Sequence, residues 1–101
     1  DIVVDESILS SNRAGVNGAV FDIEFSGLLT RSSTITHNKA SGSGAVLYCI
    51  SIRPIQITSS RIDHNNAVVA GGAIFATFCN PLISDSILSN NRAGYGGAIA
   101  I

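Results

Sequence analysis

Two acidic side chains of this 101-residue chain have a spacing that acid–base catalysis would use. Asp22 and Glu24 are two residues apart, so on a β-strand both side chains point to the same face. Paired carboxylates on one face can act as general acid and general base in a hydrolase or lyase. The other acidic candidates, Asp63 and Asp85, stand alone in the sequence. We therefore expect solvated strand residues here, no catalytic residues and no enzymatic activity.

Two histidines occupy equivalent positions of a repeated pattern. His37 and His64 each directly precede a recurring asparagine, and we expect their rings on neighbouring structural units about 5 Å apart. Two such imidazoles could share a metal ion or titrate together near neutral pH. A zinc site needs three or four ligands, and Asp63 is the only obvious third one. Histidines that face water are the favoured interpretation, so we predict no metal site and no cofactor.

Cationic side chains follow the same asparagines. Arg13, Lys39 and Arg92 come directly after the asparagine in three of the four units, and Asn66 takes that place in the remaining one. The sequence thus predicts a sparse cationic edge. An anionic glycan could bind there, but a solvated corner that discourages lateral aggregation is the simpler interpretation.

The two cysteines, Cys49 and Cys79, lack the CxxC spacing typical of zinc or redox sites. Their expected strands belong to adjacent units, but the two residues are two positions out of register. A disulfide requires Cα atoms about 4.4–6.8 Å apart, which the offset would prevent without a bulge. We therefore predict free, buried thiols.

Composition restricts the class of protein. Hydrophobic residues make up 46% of the chain and charged residues 13%, with a net charge of −1. This composition favours one folded domain over residues 1–101, with no nucleic-acid partner and no polybasic membrane patch. Apolar runs are much shorter than the roughly 20 residues of a membrane-spanning helix, so we expect no membrane insertion of this segment.

A repeat must position these side chains. Asparagines recur at a nearly constant interval, at Asn12, Asn38, Asn65 and Asn91, and the middle interval is one residue longer than the other two. Each unit contains three short apolar or alternating runs, which are typical of strands, and the second run places Leu9, Ile35, Ile62 and Leu88 on one inward face. The inward face of the third run stays open, because Asp22 and Glu24 share a face with Val20. The pattern predicts an all-β fold, a right-handed, three-walled parallel β-helix of four coils, each of roughly 26 residues.

Two sets of repeated residues have structural explanations. Stacked asparagines can hydrogen-bond their amides from coil to coil, so the four asparagines should form a ladder. Glycine before alanine and an aliphatic residue permits a tight corner that a Cβ would forbid. We assign this turn to Gly18, Gly44, Gly72 and Gly97.

The repeat resembles that of the chlamydial polymorphic membrane proteins, whose motifs are GGA followed by Ile, Leu or Val, and FxxN. Gly71-Gly72-Ala73-Ile74 and Gly96-Gly97-Ala98-Ile99 match the first motif, whereas the first two units carry Asn17 and Ser43 in place of its first glycine. The second motif reads [LI]xxN in all four units. Similar repeats occur in surface and secreted proteins of other bacteria, algae and protists. The resemblance implies a parallel β-helix outside the cell, used for adhesion or construction, and supplies no catalytic residues.

Together these features predict an extracellular or cell-surface structural and adhesive segment, with a carbohydrate-binding or carbohydrate-degrading β-helix as the alternative. The expected partners are further coils of the same chain or neighbouring subunits, and also surface glycans or host receptors. No polar cap is recognisable at either end. We therefore expect a segment of a longer solenoid, or copies that stack head to tail into a filament.

Overall fold

Short parallel strands make up the regular structure of the described residues. The computed structural model describes residues 2–101, and within them it contains 15 strands and no helix that could cross a bilayer. Every pairing between strands is parallel and joins equivalent residues of successive repeats, as in Phe21 opposite Leu47 and Ile74 opposite Ile99. The predicted all-β fold of four stacked coils is confirmed.

Three walls and one short additional sheet enclose the core. The first wall contains β1 (Ile2–Asp5), β5 (Leu28–Arg31), β9 (Ile55–Thr58) and β13 (Pro81–Ser84). The second wall contains β2 (Ile8–Ser10), β6 (Thr34–Thr36), β10 (Arg61–Asp63) and β14 (Ile87–Ser89). A short sheet follows, formed by β3 (Arg13–Ala14), β7 (Lys39–Ala40) and β11 (Asn66–Ala67). The third wall contains β4 (Phe21–Glu24), β8 (Leu47–Ile50), β12 (Ile74–Ala76) and β15 (Ile99–Ala100).

The core consists of the inward residue of every second strand position. On the second wall Ile35 and Ile62 are fully buried, and Leu9 and Leu88 pack against them at the two ends. The third wall, whose inward face the sequence left open, turns Ile23, Cys49 and Ala76 inward in one row. Asp22 and Glu24 consequently point to solvent.

The inward row of the first wall contains one polar side chain. Thr30 is 0% exposed, and within residues 2–101 its Oγ1 is the one buried side-chain oxygen or nitrogen atom without a hydrogen-bond partner. Its neighbours in the row are Val4 and Ile57. An apolar residue at this position would therefore complete a continuous aliphatic row.

The glycine turn before the third wall requires a correction. The left-handed glycines are Gly18, Gly44, Gly71 and Gly96, with φ between 59° and 63°. Gly72 and Gly97, to which the sequence analysis assigned the turn in the last two coils, lie one residue later. At each left-handed position a Cβ would lie 2.1 to 2.5 Å from the carbonyl oxygen three residues ahead. Val46 hydrogen-bonds to Ala73, so the Gly-Ala-aliphatic sequence of the first two coils superposes on Gly-Gly-Ala of the last two.

The cysteines also differ from expectation, because Cys49 and Cys79 form a disulfide with Cα atoms 6.2 Å apart. Cys49 lies opposite Ala76, the last residue of β12, and Cys79 follows three residues later. Phe78, the residue directly before Cys79, adopts a left-handed backbone conformation, φ 53°, which turns the chain back toward the core. Both cysteines are buried. The prediction of free thiols was wrong because it considered strand register and not the corner that follows the strand.

Candidate functional site

The corner between the second wall and the short sheet is built on the four repeated asparagines. The side-chain amide Nδ2 of each of the first three donates to Oδ1 of the asparagine in the next coil, at 2.9 Å from Asn12 to Asn38 and at 3.0 Å for the two following steps. The backbone N–H of the same residue donates to that Oδ1 as well. Asn38 and Asn65 are 1% and 0% exposed. Each step of this ladder therefore fixes the height of one coil relative to the next.

A second ladder, of serines, was not recognised from the sequence as a bonding motif. The backbone N–H of each of the first three serines donates to Oγ of the serine one coil ahead. The hydroxyl of each of the four donates to the carbonyl two residues before it. The members are Ser7, Ser33, Ser60 and Ser86. They recur at the same intervals as the asparagines, and this shared spacing was the available signal.

The residue before each ladder asparagine has a left-handed backbone conformation. His37 and His64 have φ values of 58° and 53°, and Ser11 and Asn90 hold the equivalent positions in the outer coils. Such values are uncommon for residues with a side chain. They turn the chain sharply, so that the two imidazoles project from the corner and stack, with ring centroids 5.1 Å apart and planes 4° from parallel.

A hydrogen-bond network on the second wall orients both rings. The Thr36 hydroxyl donates to Asp63 Oδ1 at 2.5 Å, so its oxygen must accept the 2.8 Å hydrogen bond from His37 Nδ1. His64 Nδ1 faces the same Asp63 oxygen at 3.4 Å, which favours a proton on that nitrogen. In both neutral histidines Nδ1 is therefore the protonated nitrogen, and Nε2 carries the lone pair.

Asp63 is the anionic centre of this network. Arg61 Nε donates to its other oxygen, Oδ2, at 2.6 Å, and the side chain of Asp63 is only 7% exposed. The hydrogen bond from Thr36 is the largest cause of a lowered pKa, about 2 for Asp63, and Arg61 and His64 act in the same direction against the opposing effect of burial. Asp63 is thus a carboxylate at every physiological pH.

The predicted cationic edge forms a column on the short sheet. Arg13 lies opposite Lys39, Lys39 opposite Asn66, and Asn66 bridges to Arg92 in the fourth coil. All four side chains are exposed, and none of the ion pairs within residues 2–101 involves them. Ala14, Ala40 and Ala67 alternate with them and pack inward. The column is therefore a solvent-facing row with unneutralised cations in coils one, two and four.

Arg13, Lys39 and Asn66 of the column share one groove of about 310 Å³ with the histidine stack and Ser11, and Arg92 continues the column in the fourth coil beyond the groove lining. The sequence analysis treated the histidines and the cations as separate features, and the structure brings them together. It does not bring Asp22 and Glu24 to another acidic residue, since they lie opposite Tyr48 and Ile50 on the third wall. Among the described residues no group of three or more His, Cys, Asp or Glu side chains is placed to hold a metal ion.

Parallel strands in four coils, joined by asparagine and serine ladders, define a β-solenoid repeat protein. Residues 85–101 match the family model of the Chlamydia polymorphic membrane protein (Chlamydia_PMP) repeat. This segment contains both motifs of the last unit, Leu88 to Asn91 and Gly96 to Ile99. The resemblance to the polymorphic-membrane-protein type of parallel β-helix repeat is confirmed. Comparison with curated proteins and with solved structures found no match.

Proposed function

We propose that this chain is a structural and adhesive segment of an extracellular or cell-surface β-solenoid. The observation that carries the proposal is the combination of a polymorphic-membrane-protein type repeat with a fold that commits its inward residues to the core and the ladders. Outward positions remain free to contact partners. The buried disulfide supports an oxidising location, because disulfides persist outside the reducing cytosol.

The partner that fits the coil faces is another coil. Within residues 2–101, Asn12 Oδ1 accepts no hydrogen bond, and the backbone N–H of Asn91 donates none. In the serine ladder, likewise, Ser7 Oγ accepts no hydrogen bond within these residues, and the Ser86 backbone N–H donates none. A coil placed against either face would continue both ladders. It would belong either to the same polypeptide or to a second copy.

The absence of catalysis is part of the proposal. Asp22 and Glu24 are exposed on the third wall, and the residues opposite them in the next coil are not acidic. A glycosidase pair requires carboxylates on opposite sides of the scissile bond, typically about 5–10 Å apart. Asp63, the one buried carboxylate among residues 2–101, accepts hydrogen bonds from Thr36 and Arg61, one at each of its two oxygens.

Two experiments test the proposal. Light scattering of the oxidised 101-residue chain over a range of concentrations should detect species larger than a monomer, because each coil face offers unpaired ladder groups. A soluble monomer that unfolds cooperatively at high concentration would contradict the proposed stacking. Incubation with pectin and alginate should yield no products. Turnover that disappears in the double variant Asp22→Asn, Glu24→Gln would show instead that the chain is a carbohydrate-degrading β-helix.

A further inference from the structure

The groove beside the asparagine ladder is lined by groups that are cationic or neutral. Arg13, Lys39, His37 and His64 line it, together with Ser11 and two asparagines. The described carboxylates lie elsewhere. Asp5 pairs with Arg31, Glu6 and Asp85 lie at the corner before the second wall, and the third wall carries the remaining two exposed acids. Asp63 lies behind the histidines and is neutralised by Arg61. An anion in the groove would therefore meet no negative charge that repels it.

The spacing of the cations suits a chain and not a small ion. Successive coils are about 4.8 Å apart, so Arg13 and Lys39 are neighbours, while Arg92 lies about 14 Å from Arg13 along the axis. A single sulfate or phosphate can contact one neighbouring pair only. A ligand with anionic groups at intervals along its length can contact all three cations and the polar Asn66 between them.

We propose that this groove binds an anionic glycan, a polysaccharide bearing sulfate or carboxylate groups, with its chain parallel to the solenoid axis. The proposal rests on the adhesive role above and names the class of partner that this face would take. Arg13 and Lys39 in the groove, and Arg92 beyond its end, donate charge-assisted hydrogen bonds to the anionic groups. Asn66 and Ser11 hydrogen-bond to sugar hydroxyls. The nearly parallel imidazole rings project beside the cations and donate or accept at Nε2.

The histidine pair makes binding depend on pH. Because both Nδ1 atoms already hold a proton, acidification protonates the outward Nε2 atoms and adds positive charge to the groove. The charged groups around the rings are Asp63 behind them, Arg61 paired with it, and Arg13 and Lys39 along the groove. A bound polyanion adds negative charge in front of the rings. By linkage, the glycan binds more tightly at pH 5.5 than at pH 7.5.

The test uses a fluorescently labelled heparin hexasaccharide and the 101-residue chain immobilised at low density, so that stacking between copies does not contribute. Lys39→Ala should weaken binding roughly two- to five-fold, as expected for one exposed ion pair, and should reduce its salt dependence. Arg53→Ala is the matched control, since Arg53 is also an exposed cation but lies at a different corner. Its affinity should remain that of the unaltered chain. Equal losses in both variants, or none in either, would overturn the proposal.

The pH arm uses the double variant His37→Gln, His64→Gln. The unaltered chain should bind more tightly at pH 5.5 than at pH 7.5, and the variant should show no such difference while circular dichroism shows an intact fold. A pH effect that persists in the variant would refute the role of the histidines. A single-stranded oligonucleotide of equal charge that binds as tightly would overturn the assignment to a glycan. A chain that stacks but binds no hexasaccharide contradicts this inference alone, whereas one that binds but stays monomeric contradicts the proposed stacking alone.

Discussion

Truncation of a central ladder asparagine should destabilise the fold much more than truncation of a terminal one. Asn65 is 0% exposed and its side chain makes four hydrogen bonds. Its Oδ1 accepts from the backbone N–H and the Nδ2 of Asn38, and its Nδ2 donates to Ile35 O and to Asn91 Oδ1. Asn65→Ala removes all four and leaves the Asn38 N–H buried without an acceptor.

The magnitude follows from these contacts. A buried donor left unpaired costs about 1–3 kcal/mol, and each of the other three hydrogen bonds contributes roughly 1 kcal/mol. Since such terms are not fully additive, the expected loss in the free energy of unfolding is about 3–5 kcal/mol. Asn12→Ala is the matched control. The Asn12 side chain donates once, to Asn38 Oδ1, which keeps its second donor, so the loss should be about 1 kcal/mol.

Urea denaturation followed by circular dichroism measures both losses. A domain of this length has roughly 5–15 kcal/mol of stability, so both variants should fold and show lower midpoints with an unchanged slope. Asn65→Asp adds a second comparison, because its added oxygen would face Ile35 O and Asn91 Oδ1. Its folded-state pKa should be raised, so the penalty is full above that raised pKa and is relieved as the pH falls from it to the unfolded value. If Asn65→Ala costs no more than Asn12→Ala, the ladder does not stabilise the stack.

Four further predictions concern the core, the disulfide, the acidic network and the turn. Thr30→Val should raise the free energy of unfolding by about 1 kcal/mol, measured by urea denaturation, because it removes a buried hydroxyl without a partner and keeps the shape. Reduction of the disulfide, which joins residues 30 positions apart, should lower the free energy of unfolding by about 3–4 kcal/mol in the same assay. The reducing agent should have no effect on a variant in which both cysteines are replaced by alanine. Asp63 has a depressed pKa, so its stabilising contribution is complete above pH 4 and is lost as the pH falls toward 2; acid titration of Asp63→Asn should lack this loss. Gly96→Ala should lower the thermal midpoint clearly, because its Cβ would lie 2.5 Å from a carbonyl oxygen, whereas Gly97→Ala, with its nearest atom at 3.6 Å, should change it little.

Much of the fold was predictable because a solenoid repeats one local solution. The nearly constant interval between asparagines predicts the number of coils, and the alternation of side chains along a strand predicts that Leu9 and Ile35 point inward. The number of coils and the inward face can both be predicted because similar residues recur at a nearly constant interval. The short sheet was not predicted, because strands as short as Lys39–Ala40 have no period of their own.

The wrong assignment of the turn glycines arose because the repeat interval changes along the chain. Glu24 pairs with Ile50, but Leu28 pairs with Ile55, so the second coil contains one additional residue at the corner between these two pairs. The interval from Ala70 to its partner Tyr95 is shorter than either of these. Gly-Ala and Gly-Gly-Ala can be aligned in two ways under such variation, and the sequence alone favoured the wrong one. Only the backbone hydrogen bonds distinguish the two glycines at the turn.

The environment of Asp63 shows a different limit of sequence reasoning. Strand alternation places Asp63 on the outer face of the second wall, where solvent exposure is expected. The structure covers it, because Thr36 lies directly opposite in the preceding coil and Arg61 folds across from the same strand. One of these neighbours is remote in the sequence and the other is local. A row-by-row comparison of coils could have found the first of them.

The ladders and the groove together suggest how such a fold can acquire binding specificity. Residues next to the buried asparagines are held at a fixed height by bonds that do not involve their own side chains, so a substitution at that position changes the surface without moving the coil. Four coils present Arg13, Lys39, Asn66 and Arg92 in one column, three of them cationic and one neutral. The neutral residue, Asn66, lies in the same coil as His64. A groove of this kind can therefore differ from repeat to repeat in charge and pH response while the hydrogen-bonded corner behind it stays the same.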